Sequence, residues 1–350
     1  KSNDFYFLRP DDRLLNLDFY IDKKHLNGAK DGQKVKVKFL SWPKSVKSPQ
    51  AAVVDILGEP GELNVEMNSI LAEFGFPLKF PNKVNNEADL IEEPNYNIEA
   101  KKRKDFRKTT TFTIDPVDAK DFDDALSYKE LKNGNIEVGI HIADVGHYVK
   151  ENSHLDREAF YRANSVYLVD RVIPMLPEKL SNKLCSLRPH EDKLTFSAVF
   201  ELSSKGEVKN SWFGKTIIHS DHRFTYEEAQ AIIEGEKNNL DKEVLALNRL
   251  AELLRKKRME KGALNVESQE VRFQLDETGD PIGTVLKESK AANKLIEEFM
   301  LLANKRVAMY TGKPEKDKLI KPSIYRIHDE PNPEKISDLK IFLAAMDYQI

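Results

Sequence analysis

Five aspartates lie close together in this sequence and form the segment best suited to chemistry. They are Asp115, Asp118, Asp121, Asp123 and Asp124, within the stretch IDPVDAKDFDDA at residues 114–125. Carboxylates crowded in this way repel one another and raise one another's pKa values unless a cation lies between them. Their hard oxygen atoms suit Mg²⁺ or Mn²⁺, and zinc is not expected because no Cys or His stands nearby.

Two other interpretations of this acidic segment can be weighed from the residues around it. A solvated acidic turn is the commonest alternative, but apolar residues (Ile114, Phe122, Ala125 and Leu126) alternate with the acids and predict a partly buried loop. A calcium EF-hand is excluded, because Lys120 occupies the position that requires Gly and Leu126 replaces the bidentate Glu. The sequence therefore favours a catalytic or metal site and leaves the acidic turn open.

Strands must hold the acidic segment, and helices follow it along the chain. The patterns predict strands at Thr109–Ile114 and Ile136–Ile142, then a capping box at Thr225–Glu228 that opens a helix to about Lys237. Amphipathic helices are predicted at Lys242–Lys261, ended by Gly262, and at Ala291–Tyr310, ended by Gly312; Asn332 and Pro333 open another that runs through Met346.

The N-terminal residues predict a small β-barrel. Residues Lys34–Phe39 alternate between lysine and apolar side chains, and a second strand is expected from Ala52 to Leu57. With the aromatics Phe5, Tyr6, Phe7, Phe19 and Tyr20, this favours an OB-type barrel, in which the rings either stack on nucleic-acid bases or form the core. Residues 62–104 form a connector, with a helix near Val65–Phe74.

The composition is that of a globular protein. Of 350 residues, 40% are hydrophobic and 32% charged, and the net charge of −3 argues against a general nucleic-acid coat. A basic run (Lys101, Lys102, Arg103, Lys104, Arg107 and Lys108) predicts a solvated linker or, alternatively, a phosphate contact. No apolar run long enough for a membrane span and no signal peptide are apparent.

Cysteine usage and the chain ends allow further expectations. The single cysteine, Cys185, excludes an intrachain disulfide, predicts a reducing, cytoplasmic location, and is expected to be a buried hydrophobe instead of a nucleophile. Because the chain begins at Lys1 and stops at Ile350 inside an unclosed helix pattern, we expect a fragment.

The acidic segment and six later segments together resemble one family. They are residues 139–145 (GIHIADV), 165–168 (SVYL), 173–177 (IPMLP), 184–187 (LCSL), 295–300 (LIEEFM) and 326–329 (RIHD), in the family's order. The resemblance is to the RNB catalytic domain of the ribonuclease II/ribonuclease R family, nearer the ribonuclease R members. It implies an OB-type cold-shock barrel at 1–62, a connector at 63–104 and a C-terminally incomplete α+β RNB domain at 105–350.

The resemblance also implies an activity and a set of site residues. The activity is processive 3′→5′ degradation of single-stranded RNA to nucleoside 5′-monophosphates, with Mg²⁺ or Mn²⁺ and without a membrane or a small-molecule cofactor; no protein partner is indicated. Asp115, Asp121 and Asp124 would bind the metal, and Asp123 would support the reacting centre. Tyr167 would stack on the 3′-terminal base, with a core aromatic as the alternative. Glu298 would be a carboxylate at the RNA site, and its apolar helical neighbours, Leu295, Leu301 and Leu302, predict that it is partly buried.

Several residues and segments leave alternatives open. Glu297 fits a solvated helix face, and His141 and Asp144 fit strand-end polar residues as well as functional ones. Val266 stands where family members often have an aromatic clamp residue. Neither the family's arginine segment nor its C-terminal RNA-binding domain is present, so this chain alone is expected to be weakly active or inactive. An RNA-binding protein with an inactive RNB domain and an unrelated Mg²⁺ phosphohydrolase remain as rivals.

Overall fold

The computed structural model describes residues 5–12, 14–265, 270–276, 279, 281–312, 324, 327 and 329–348. The chain divides into two compact units, Lys1–Phe299 and Met300–Ile350. The first unit contains a small N-terminal sheet, a helical connector and a larger sheet with its helices. None of the helices in the described ranges is both long and apolar enough to cross a membrane.

The N-terminal residues form a four-stranded sheet that matches the expected OB-like region. Its strands are β1 (Tyr6–Leu8), β2 (Phe19–Ile21), β3 (Lys34–Ser41) and β4 (Gln50–Gly58), in the order β1-β2-β4-β3. The alternation in β3 places Val35 and Val37 against a small core of Ile21, Ala51 and Val53.

The N-terminal aromatics divide between the two alternatives that the sequence left open. Tyr6 and Phe19 pack on the small core. Phe5 and Phe7 are half-exposed, and each ring contacts Tyr20, with centroids 5.9 and 6.1 Å apart. Two of these rings are thus core residues, and two lie at the surface of the sheet.

The connector contains more helix than its sequence predicted. The expected helix is confirmed as α1 (Leu63–Glu73), and it is followed by α2 (Asn82–Leu90) and α3 (Tyr96–Glu99). Pro81 immediately precedes α2, and the Asn95 side chain caps α3 by accepting a hydrogen bond from the Ile98 N–H. The Pro and Asn residues of this stretch therefore begin helices instead of excluding them.

The larger sheet has seven strands and carries the acidic segment. The strands and helices of this region, in chain order, are β5 (Lys104–Asp105), β6 (Thr110–Asp115), β7 (Asp124–Glu130), β8 (Ile136–Ala143), α4 (Val145–Tyr148), α5 (His154–Arg162), β9 (Val166–Tyr167), β10 (Val172–Ile173), β11 (Asp192–Leu202), β12 (Val208–His219) and β13 (His222–Thr225). The sheet order is β13-β6-β7-β8-β11-β12-β5, and β9 pairs with β10 in a separate hairpin. Only β13–β6 and β12–β5 pair in parallel among the described strands of this sheet.

The later elements largely confirm the predicted helices. They are α6 (Tyr226–Ile233), α7 (Asp241–Glu260), the hairpin β14 (Glu270–Leu275) and β15 (Pro281–Lys287), α8 (Ala291–Gly312) and α9 (Pro333–Ala344). The predicted capping box of Thr225 and Glu228 opens α6, and the Asn332 side chain caps α9. Helix α6 ends at Ile233, short of the predicted Lys237, and Gly235 follows with a φ of +113°. Helix α9 likewise ends before Met346.

The basic run near residue 101 does not behave as a uniform solvated linker. Arg103 is buried and pairs with Asp144, with 2.7 Å between Nη2 and Oδ2, and with Glu99. Arg107 pairs with Asp105 and Asp192. The interpretation as a solvated linker was wrong for Arg103, which is buried because Asp144 reaches it from another part of the fold; Arg107 is half-buried and also has a distant partner, Asp192.

Candidate active site

The acidic loop, residues 115–124, connects two neighbouring strands of the large sheet. Asp115 is the last residue of β6 and Asp124 is the first residue of β7. These strands are antiparallel, with Phe112 opposite Leu126, so the two ends of the loop lie side by side. Ile114, Phe122, Ala125 and Leu126 are all buried, which confirms that the loop is partly buried.

Hydrogen bonds to its backbone hold the acidic loop in place. The Ser186 hydroxyl accepts a bond from the Phe122 N–H at 3.0 Å and donates one to the Lys120 carbonyl at 2.9 Å. The Leu187 N–H donates to the Phe122 carbonyl at 2.8 Å, and the Ala143 N–H donates to the Asp123 carbonyl at 3.0 Å. Two segments distant in sequence thus fix the backbone that carries Asp121, Asp123 and Asp124.

The carboxylates of the acidic loop influence one another electrostatically. Asp115 is 7% exposed; burial raises its pKa to about 7, the charges of Asp124 and Asp121 act in the same direction, and Thr113 and Arg223 oppose them. Burial, with the charge of Asp123, raises the pKa of Asp124 to about 6. The pKa of Asp123 is raised by the protein atoms around it and by Asp121, although its side chain reaches solvent. Burial is the largest cause of each shift, and a cation would relieve the smaller part that comes from repulsion between carboxylates.

The donor set fits a hard divalent cation, but not a cage built from protein side chains alone. Across the described residues, no three His, Cys, Asp or Glu side chains stand close enough together to hold a metal ion. Oδ2 of Asp115 is buried and lacks a well-formed hydrogen bond, so it has a lone pair to offer. Magnesium is commonly held by one or two carboxylates together with water and substrate phosphate oxygens, and the acidic loop suits that mode.

Two residues that the sequence did not single out border the loop. Arg223 on β13 donates from Nη2 to the Pro116 carbonyl, and its guanidinium lies 5.4 Å from the centre of the Phe122 ring. Burial, then the charges of Asp124 and Asp115, raises the pKa of Tyr226 to about 12. Tyr226 follows the predicted cap Thr225 as the first residue of α6. No local sequence pattern indicated that it would lie near Asp115 and Asp124.

Tyr167 lies beside the acidic loop, as its proposed role requires. The residue is 63% exposed, and its hydroxyl donates a hydrogen bond of 3.0 Å to Oδ2 of Asp121. Tyr167 is therefore not a core aromatic, which was the alternative interpretation of this residue. An exposed ring next to the carboxylates is available for stacking on a base.

Glu298 is buried, and it is bound to an arginine. It is 3% exposed on α8, and Arg258 at the end of α7 donates to its Oε1 from Nε at 3.1 Å and from Nη2 at 2.5 Å. Glu297 is half-buried and pairs with Arg258 and Lys294, so it is not a freely solvated side chain. The hydrogen bonds of Glu298 go to α7 and not to the acidic loop, so its role at the RNA site stays a prediction.

The remaining candidate residues have structural partners. His141 is fully buried between the hydroxyls of Ser197 (2.6 Å) and Ser127 (2.8 Å), and burial lowers its pKa to about 3. Asp144 pairs with Arg103 and Lys215. Cys185 is buried, as expected, and burial raises the pKa of its thiol to about 12, which leaves it unreactive as a nucleophile.

The acidic loop also has a long-range contact outside the candidate ligands. Asp118 forms an ion pair of 2.5 Å with Arg272 on β14. Asp118 thus has a partner of its own, consistent with its omission from the candidate metal ligands.

Three residues that the comparison with the family singled out, Val266, Arg326 and His328, lie outside the described residues.

Two family models match the chain. The RNB domain model matches residues 103–350, and the Cold shock domain model matches residues 7–81. Ribonuclease R of Thermotoga maritima is 41% identical over 350 residues, which cover 98% of this chain and 49% of that protein. The chain thus spans about half the length of this curated relative.

Solved structures show the same fold. Mycoplasma genitalium RNase R in complex with ribose-methylated single-stranded RNA has a TM-score of 0.85 and 24% identity; the match covers 98% of this chain and 55% of that one. Yeast Ssd1, described as a pseudonuclease, has a TM-score of 0.70 and 19% identity, and covers 99% of this chain and 44% of its own. Since both identities are below one quarter, these likenesses speak to fold alone.

Proposed function

The chain belongs to the RNB-domain family, and we propose that its protein is a 3′→5′ exoribonuclease that depends on a divalent cation, preferably Mg²⁺. Its substrate is single-stranded RNA, and its products are nucleoside 5′-monophosphates. Asp115, Asp121 and Asp124 would supply carboxylate oxygens to divalent cations, with water and phosphate oxygens as the other ligands, and Asp123 would support the reacting centre. The relatives named Ribonuclease R support the activity, and the Cold shock domain match supports RNA as the substrate.

One observation carries this proposal. Five carboxylates lie on one backbone-anchored loop, and the pKa values of three of them, Asp115, Asp123 and Asp124, are raised by burial and then by the charge of neighbouring carboxylates. Holding so many carboxylates together costs electrostatic free energy. A protein that only bound RNA would gain nothing from them, since carboxylates repel phosphate. A nuclease gains a site for cations that offset the charge of the reacting phosphodiester.

Each residue of the site would have a separate role in the reaction. The ring of Tyr167 stacks on the terminal base, and because every base has a flat face, this contact does not depend on sequence. Asp123 orients the water whose oxygen attacks phosphorus, while the 3′-oxygen of the preceding nucleotide leaves. Asp115, Asp121 and Asp124 would hold the cations, which when bound would supply positive charge to the entering and leaving oxygens.

A strand-degradation assay tests the proposal. The protein and its Asp123→Asn variant are incubated with a 5′-labelled single-stranded RNA, in Mg²⁺ and in EDTA. We expect a processive run to a short labelled end product, lost in EDTA and reduced at least about 100-fold in the variant. Asp118→Asn is the matched control, because it removes a charge from the same loop at a residue paired with Arg272; it should retain activity.

A second function is kept because of one finding. The fold is shared with Ssd1, a pseudonuclease, so an RNA-binding protein with an inactive RNB domain is the rival. Such a protein would bind the RNA and leave it uncut under every condition, and titration with Mn²⁺ would show no site that depends on Asp115. Membership of the RNB-domain family argues against the other rival, an unrelated phosphohydrolase.

A further inference from the structure

Tyr167 and Asp121 make a contact that a stacking role alone does not require. The Tyr167 hydroxyl lies 3.0 Å from Oδ2 of Asp121. Among the described residues, this hydroxyl is the only hydrogen-bond donor to the Asp121 side chain. The neighbours of Asp121 are fixed through their backbone by Ser186, so the carboxylate orientation is what remains to be set.

The hairpin that carries Tyr167 is itself anchored away from the acidic loop. Arg171, between β9 and β10, donates to the side chain of Asn64 on α1, and the Met175 N–H donates to the Ser165 hydroxyl at 3.0 Å. Arg162 donates to the carbonyl of Pro174 at 3.3 Å. The position of Tyr167 is therefore determined independently of Asp121, so the tyrosine can orient the carboxylate.

We propose that Tyr167 is a positioning residue for Asp121, in addition to providing a stacking surface. Its hydroxyl fixes the carboxylate in the orientation in which it binds the cation, while its ring stays free for the terminal base. The two functions use different atoms of one side chain, so a base stacked on the ring also restrains the hydroxyl and the carboxylate behind it. This inference rests on the proposed function, since it requires Asp121 to be a metal ligand.

The test removes the hydroxyl and keeps the ring. Binding of Mn²⁺ alone is measured by the electron paramagnetic resonance signal of the free ion, in wild type and in Tyr167→Phe. Partners that orient a metal ligand typically contribute 10- to 100-fold to affinity, so we expect Mn²⁺ binding to weaken about tenfold or more. Binding of single-stranded RNA in EDTA should be unchanged, because the ring is retained. Tyr167→Ala should weaken both.

Tyr161→Phe is the matched control, since this tyrosine is 70% exposed and loses the same hydroxyl; its Mn²⁺ affinity should equal that of wild type. Equal Mn²⁺ affinity in Tyr167→Phe and wild type would overturn the inference and leave the proposed function intact. If Asp115→Asn binds Mn²⁺ as well as wild type does, the acidic loop is not the metal site. The proposed function then fails, and the inference fails with it.

Discussion

Ser186 and Phe122 are joined by a hydrogen bond of 3.0 Å, although 64 residues separate them in the chain. The same hydroxyl donates to the carbonyl of Lys120, so one buried side chain bridges two peptide groups on either side of Asp121. A loop that carries five aspartates has an electrostatic reason to open. The two hydrogen bonds of Ser186 oppose this opening. Removing the Ser186 hydroxyl therefore tests how the loop is held.

We expect Ser186→Ala to destabilise the protein and to weaken Mn²⁺ binding. The change leaves the Phe122 N–H and the Lys120 carbonyl without this partner inside the fold, at a cost of about 2 kcal/mol in the free energy of unfolding. The acidic loop should also become less ordered, with roughly tenfold weaker Mn²⁺ binding. Urea unfolding and Mn²⁺ titration measure the two effects. Ser211→Ala, at an exposed position on β12, is the control and should change neither. An unaltered unfolding midpoint in Ser186→Ala would contradict this account of the loop.

The contact between Ser186 and Phe122 illustrates what the sequence could not reveal. Local patterns located the strands around the acidic loop, the capping box at Thr225 and the long helix α7, because these depend on residues a few positions apart. The segment at 184–187 was identified by its resemblance, but nothing in it indicated that its serine binds the loop. Hydrogen-bond partners that are distant in sequence follow from the tertiary fold.

The same limit applies to charged residues. The composition of the basic run predicts solvated side chains, yet Arg103 is buried because Asp144 and Glu99 pair with it in the folded chain. For Glu298 the helical pattern predicted burial, but not that Arg258 would neutralise it. Sequence periodicity shows which face of a helix is buried, whereas the partner of a buried charge depends on which other element packs against that face.

Removing Arg258 should destabilise the junction of α7 and α8. Arg258→Ala leaves the Glu298 carboxylate buried without its counter-charge, which costs about 2–4 kcal/mol because the arginine itself is partly exposed. The double variant Arg258→Met, Glu298→Met should recover most of this loss, since two apolar side chains replace the pair. Chemical denaturation of the single and double variants measures both values. If the double variant were no more stable than Arg258→Ala, the buried charge would not be the cause.

Protonation of His141 should destabilise the protein in acid. Burial between Ser127 and Ser197 lowers its pKa to about 3 in the folded state, against about 6.5 when unfolded. The unfolded chain therefore binds more protons between these values, and the contribution of His141 to stability is present above pH 6.5 and lost as the pH falls towards 3.

The unfolding free energy of wild type and of His141→Gln, measured from pH 7.5 to pH 4.5, isolates this effect. All other groups, including the carboxylates of the acidic loop, titrate in both proteins, so the difference between the two curves reports His141 alone. We expect wild type to be the more stable at pH 7.5 and its advantage to shrink steadily below pH 6.5. An advantage that does not change with pH would show that His141 is not excluded from protonation.

Arg162 joins residues 77–80 of the connector to helix α5 and to the end of the β9–β10 hairpin. Its buried guanidinium donates to the carbonyls of Pro77, Lys79 and Pro174, pairs with Glu158 and lies 3.7 Å from the centre of the Phe80 ring. A lysine ammonium lacks the planar fork that serves several acceptors at once, so Arg162→Lys should cost about 2–3 kcal/mol. Arg157→Lys, on the exposed side of the same helix, should change stability by less than about 0.5 kcal/mol.

The release of the connector can be observed directly. In Arg162→Lys, amide hydrogen exchange should accelerate at residues 76–80 and across the β9–β10 hairpin, since both lose a contact with the guanidinium. Exchange in β7 and β8, at the centre of the sheet, should remain slow. Because the hairpin carries Tyr167, Mn²⁺ affinity should also fall, but less than in Tyr167→Phe. Faster exchange throughout the sheet would instead mean that Arg162 stabilises the whole unit.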